Sequence, residues 1–66
     1  MNLKPVSSSR MNAVGWEDNT MYIRFKDSAV YAYENVSESE YINFINSPSL
    51  GSALCRFDKL HSYHRV

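Results

Sequence analysis

Residues 20–34 read TMYIRFKDSAVYAYE, and the fold follows from how this stretch turns back on itself. Two runs rich in Tyr, Ile, Val and Phe alternate with the period of a strand, and Lys26-Asp27-Ser28-Ala29 between them is polar and free of β-branched residues. That is the composition of a tight hairpin. With Asp27-Ser28 as a two-residue loop, counting outward places Phe25 opposite Val30, Arg24 opposite Tyr31, Ile23 opposite Ala32 and Tyr22 opposite Tyr33. Met21, Ile23, Phe25, Val30 and Ala32 then form an apolar core face. Tyr22, Arg24, Lys26, Tyr31 and Tyr33 form an aromatic and basic face behind it. A slip of one residue in either strand would mix the two.

The segments on either side extend this hairpin. Met11 to Glu17 reads as a strand, and Asp18-Asn19 suits a two-residue turn into Thr20. Counting back from that turn sets Trp16 opposite Met21, Val14 opposite Ile23, Gly15 opposite Tyr22 and Asn12 opposite Phe25. The product is a three-stranded antiparallel meander, about 11–17, 20–26 and 29–34, whose apolar face needs a cover. Two helices supply it. Ser37-Glu38-Ser39-Glu40 matches the S-x-x-E capping box, and Tyr41, Phe44 and Ile45 follow at helical spacing. Pro48 closes this helix, about 38–46. Leu50, Ala53, Leu54, Phe57, Leu60 and His61 mark one face of a second, about 49–61, in whose first turn Gly51 costs roughly 1 kcal/mol relative to Ala. The expected fold class is α+β, one domain over 1–66 with an extended N-terminal arm over 1–10 and a short aromatic and basic tail, Tyr63-His64-Arg65-Val66.

Composition narrows the function classes. Sixty-six residues make one domain near the lower size limit for a hydrophobic core. Seven basic against seven acidic residues give a formal net charge of zero, which argues against a protein driven onto nucleic acid by bulk charge. The charge is nonetheless laid out unevenly, with basic ends and an acidic middle. No apolar run approaches the ~20 residues that cross a bilayer, and Met1 to Arg10 lacks the apolar stretch of a signal peptide, so no membrane association is expected. The single cysteine, Cys55, cannot form an internal disulfide, and the chain is placed in the cytoplasm.

Three function classes compete for these residues. Tyr22, Tyr31 and Tyr33 with Arg24 and Lys26 between them suit single-stranded nucleic acid, because bases stack on rings while cations meet phosphates. Tyrosine is also simply a favoured strand residue, and cross-strand pairs stabilise a sheet without binding anything. The same tyrosines suit a protein-interaction module, with the strand over 29–34 offering an open edge. An enzyme is the poorest fit. Cys55, Asp58 and His61 fall at successive i+3 steps, but such steps drift around a helix and do not converge, so no catalytic residue, metal site or cofactor is expected.

In their order and spacing, Pro5-Val6-Ser7-Ser8-Ser9, Ala13-Val14-Gly15-Trp16, Ile23-Arg24-Phe25-Lys26, the Y-x-Y of Tyr31-Ala32-Tyr33, the S-x-G of Ser49-Leu50-Gly51 and the ending Tyr63-His64-Arg65-Val66 resemble the KTSC domain. That family is named for its place at the C-terminus of some lysyl-tRNA synthetases and also occurs as a stand-alone protein in bacteria and their phages. The resemblance implies a small domain of uncharacterised function whose suggested role is RNA binding. It adds the serine run Ser7-Ser8-Ser9, Ser49 and Gly51 to the candidates, and the basic C-terminal segment adds Arg56 and Arg65. Cys55 and Asp58 depart from the asparagine and the aliphatic residue usual in the family. The expected function is therefore a non-enzymatic binding module for RNA or single-stranded nucleic acid, with a bacterial or phage-encoded modulator of a host protein as the alternative.

Overall fold

Asp18 and Asn19 both take left-handed backbone conformations, φ 51° and 60°, in the computed structural model, which describes residues 3–66. Two consecutive left-handed residues make a type I′ turn, whose twist matches that of the strands it joins. The expected register of the first hairpin follows: β2 (Met11–Glu17) and β3 (Thr20–Phe25) pair with Trp16 opposite Met21, Gly15 opposite Tyr22 and Val14 opposite Ile23. The register then shifts between Met11 and Ala13, so that Met11 rather than Asn12 faces Phe25. This bulge puts the methionine on the core face, where it is completely buried, and turns Asn12 out to solvent.

The second hairpin differs from its expected form. β4 (Val30–Tyr33) pairs with β3 one residue out of the expected register: Arg24 faces Val30, Ile23 faces Tyr31, Tyr22 faces Ala32 and Met21 faces Tyr33. The cause lies in the turn. The loop has three residues rather than two, with the Ser28 amide donating to the Phe25 carbonyl at 2.9 Å and the Phe25 amide to the Ala29 carbonyl at 2.9 Å. Ser28 takes the left-handed conformation, φ 73°, and Asp27 Oδ1 accepts from the Ala29 amide at 3.0 Å. A type I turn closed by a left-handed residue adds one residue to the connection, and one residue reverses the faces of everything after it. Tyr31 and Tyr33 therefore join Met21 and Ile23 on the core face, while Val30 and Ala32 lie behind it with Tyr22 and Arg24.

Two further strands complete an antiparallel sheet of five in the order β1-β2-β3-β4-β5. β1 (Lys4–Pro5) pairs with β2, Lys4 opposite Val14 and Pro5 opposite Ala13, and so orders part of the expected arm. Proline is tolerated there because β1 is an edge. Met1 and Asn2 of that arm lie outside the described residues. β5 (Tyr63–Arg65) pairs with β4, Tyr63 opposite Tyr33, His64 opposite Ala32 and Arg65 opposite Tyr31. The edge expected over 29–34 is therefore covered by the tail.

Both helices pack on the core face. α1 (Glu38–Ile45) starts with the expected capping box: Ser37 Oγ accepts from the Glu40 amide, and Glu40 Oε1 accepts from the Ser37 amide at 2.9 Å. α2 (Leu50–Leu60) is capped by Ser49 and ends at His61, which is already extended. Phe44, Ala53, Leu54 and Phe57 close over Met11, Val14, Met21, Ile23, Tyr33 and Val36. Burying each large apolar side chain contributes about 1.5–3 kcal/mol. Leu60, expected on the buried face of α2, is 72% exposed, because the helix has run past the edge of the core. Trp16 Nε1 donates to the Val36 carbonyl at 2.7 Å and ties the approach to α1 onto the first hairpin.

Candidate functional site

A cleft of about 480 Å³ lies between the arm, the turn joining β3 and β4, β5 and Asp58 of α2. This lies within the range of roughly 300–1,000 Å³ common to small-molecule sites. Phe25, Tyr31, Tyr33 and Tyr63 contribute its aromatic wall, Ser9 and Arg10 the arm side, Lys26 and Asp27 the turn, and Asp58 the helix side. The rings meet edge on, Phe25 to Tyr31 at 5.7 Å and 81° and Tyr31 to Tyr63 at 6.2 Å and 66°. Tyr33 and Tyr63 lie closer, at 4.9 Å and 31°. Such arrangements are the favoured packings of aromatic rings and fix the wall's shape. Tyr63 is 47% exposed, whereas Tyr33 is buried to 2%, so the wall runs from an accessible ring to one that belongs to the core.

Tyr33 is anchored at its far end. Its hydroxyl donates to Asp58 Oδ1 at 2.7 Å. Burial first, and then the hydrogen bond and negative charge of Asp58, push its phenol above the ordinary tyrosine range, with Arg10 opposing. The hydroxyl thus stays protonated and serves as the donor of the pair. Arg10 is held by its own backbone, whose amide donates to Ser8 Oγ at 3.2 Å and whose carbonyl accepts from Lys26 at 3.1 Å. These bonds join the arm to the turn between β3 and β4, and both cations, Arg10 and Lys26, line the cleft.

The expected platform of three tyrosines on one face is not formed. Tyr31 and Tyr33, with Lys26 at the turn, line the cleft, and Arg65 sits opposite Tyr31 on the same face. Tyr22 and Arg24 are on the reverse of the sheet, because the three-residue turn moved β4 by one position relative to β3. Ser49 and Gly51 lie at the start of α2, where Ser49 caps the helix, and an added Cβ at Gly51 would meet nothing within 4 Å. Arg56 borders a separate hollow with Glu40, Asn43 and Phe57. Ser9 of the serine run joins Tyr31 and Tyr33 in the cleft, whereas Arg10, Phe25, Asp27, Asp58 and Tyr63 are the cleft residues that sequence reasoning did not select. The alternating Tyr63-His64-Arg65 was the available signal for a further strand.

The histidines serve the frame. His61 Nδ1 lies 3.0 Å from the Glu34 carbonyl and Nε2 lies 3.1 Å from Glu40 Oε2, while His64 Nδ1 approaches Glu34 Oε2 at 3.2 Å. Cys55 is exposed and free. Among the described residues, no three His, Cys, Asp or Glu side chains are grouped to hold a metal ion, and no helix is long and apolar enough to cross a membrane.

A five-stranded antiparallel sheet covered on one face by two helices, with an aromatic cleft at the uncovered corner, defines a small α+β domain. A family model described as the KTSC domain matches residues 7–63, and the chain belongs to that family. The fold is similar to the crystal structure of KTSC domain protein YPO2434 from Yersinia pestis, with a TM-score of 0.83 and 30% sequence identity over 98% of this chain and 96% of that one. No curated protein matches the sequence.

Proposed function

We propose that the chain is a non-enzymatic cytoplasmic binding module that takes single-stranded nucleic acid, RNA foremost, in the cleft between the arm, β5 and α2. The observation that carries this reading is that Tyr31 and Tyr63 flank the same cleft as Arg10 and Lys26, with Arg65 beside it. Bases stacked on rings contribute about 1–3 kcal/mol each, and cations on the rim meet the phosphates that join them. The chain's zero net charge fits a short footprint with few phosphate contacts rather than a long electrostatic track.

Labelled single-stranded RNA and DNA titrated with the protein at low and near-physiological salt test the reading. Two or three phosphate contacts to a single strand predict a log–log salt slope of roughly −2. Tyr63→Ala, at an exposed position, is expected to keep the circular dichroism spectrum and lose most of the binding. Absence of binding at low salt overturns the proposal. The alternative, a modulator of a host protein, draws on the outer edge of β5, whose three residues are all exposed beside Val66 at 63% exposure. Its binding would be nearly independent of salt.

A further inference from the structure

Asp58 is the least expected member of the cleft, since it places a carboxylate against an aromatic wall. Its Oδ1 accepts from Tyr33, and that is its only side-chain hydrogen bond, so Oδ2 has no partner among the described residues. Arg10 and Lys26 line the same cleft, yet neither pairs with it, the ion pairs among the described residues being His61 with Glu40 and His64 with Glu34. An ionised carboxylate only accepts hydrogen bonds, and at Oδ1 a further lone pair remains beside the one that Tyr33 uses. A ligand ring resting on Tyr31 or Tyr63 would thus present its edge to two adjacent acceptor positions.

Resting on the nucleic-acid reading above, we propose that Asp58 is the specificity-determining residue of the cleft and selects guanine through the paired N1–H and N2–H donors of its Watson–Crick edge. Guanine is the one common base with two neighbouring donors there. Adenine and cytosine set one amino donor beside a ring-nitrogen acceptor that a carboxylate repels, and uracil sets one N–H between two carbonyls. Bases read in this way are splayed out of the strand, stacked on aromatic rings and hydrogen-bonded along their exposed edge. The fixed Tyr33 hydroxyl orients the carboxylate for the purpose, and the cations Arg10 and Lys26 are left for the phosphate. A free guanosine nucleotide offers the same chemistry as a guanine within a strand.

The test is fluorescence anisotropy with oligouridines of about eight nucleotides that carry one central G, A, C or inosine. The G strand is expected to bind about tenfold more tightly than the A and C strands. Asp58→Asn is expected to abolish that preference, the G strand falling to the affinity of the A and C strands, since an amide presents one acceptor and one donor. Inosine, which lacks the N2 amine, needs no variant and is expected to bind the natural protein several-fold more weakly than G. Equal affinity for G and inosine, or a preference for G that survives Asp58→Asn, overturns the role of Asp58. Equal binding of all strands also overturns it while leaving the nucleic-acid reading in place. Binding of guanosine monophosphate, lost in Asp58→Asn, with no strand bound would keep the role of Asp58 and sink the nucleic-acid reading.

Discussion

The hydroxyl of Tyr33 reaches Asp58 Oδ1 at 2.7 Å and so ties the end of β4 to the last turn of α2. Two substitutions separate this bond from the packing of the ring. Tyr33→Phe keeps the ring and removes a hydrogen bond to a charged acceptor, which contributes about 1.5–3 kcal/mol where water is excluded. Asp58 is only half-buried, so the expected loss is about 1 kcal/mol. Tyr33→Ala empties a core position that is 2% exposed and is expected to cost about 3–5 kcal/mol, close to the whole stability of a domain this small. Urea denaturation of both variants checks the difference, and equal losses would contradict it.

Ser28 occupies a left-handed backbone conformation with φ 73°. A residue with a Cβ pays roughly 1–2 kcal/mol there, and glycine avoids this at some cost in chain entropy. Ser28→Gly is therefore expected to raise stability by about 0.5–1 kcal/mol without altering the register of β3 and β4. A fall in the thermal midpoint would show that the turn is held by something other than its backbone geometry.

Gly51 lies in the first turn of α2, and an added Cβ there would meet no heavy atom within 4 Å. Nothing approaches closely enough to require a glycine. Gly51→Ala is expected to gain up to about 1 kcal/mol, and nucleic-acid binding should not change, because the position is outside the cleft. A weaker affinity with unchanged folding would return Gly51 to the binding surface.

The response to pH has an acid limb and an alkaline limb. The Ser37 amide, and then the Ser37 hydroxyl and His61, hold the Glu40 carboxyl below the ordinary carboxylate range. A carboxyl depressed in the folded state contributes stability above its unfolded value, about 4.3, and loses it as pH falls through the lower folded value. Glu40 is well exposed, so this limb is shallow and further reduced by salt. Tyr33 is raised, so its contribution is intact below about pH 10 and is lost as pH rises through its higher folded value. Denaturation midpoints across pH in natural protein, Glu40→Gln and Tyr33→Phe are expected to flatten the acid limb in the first variant and the alkaline limb in the second.

Local signals carried most of the fold. Asp18-Asn19, the S-x-x-E of Ser37 and Glu40, and the apolar spacing of Phe44, Leu54 and Phe57 each act within one element, and each is found where its residues place it. The second hairpin was harder to read, because Lys26-Asp27-Ser28 supports a two- or a three-residue loop equally well by composition. Only the left-handed Ser28 decides between them. That single choice divided the tyrosines, keeping Tyr31 and Tyr33 with the cleft and sending Tyr22 to the reverse face. Tyr63 and Asp58 entered the cleft through contacts across the chain, which no short window of sequence contains.

Strand order in the sheet repeats strand order in the chain, and one neighbouring pair, β4 with β5, has both helices inserted between its members. Every other pairing closes a short loop, so β5 is the strand whose docking pays the largest entropy of closure. It is held at its ends by the Glu34 amide on the Ser62 carbonyl and the Val66 amide on the Val30 carbonyl. These two amides are expected to exchange with deuterated solvent well before those of β2 and β3. Tyr63 travels with that strand, so brief release of β5 dismantles one wall of the cleft while the rest of the domain stays folded. For a ligand held as proposed above, the expected lifetime is set by a three-residue strand rather than by the stability of the whole molecule.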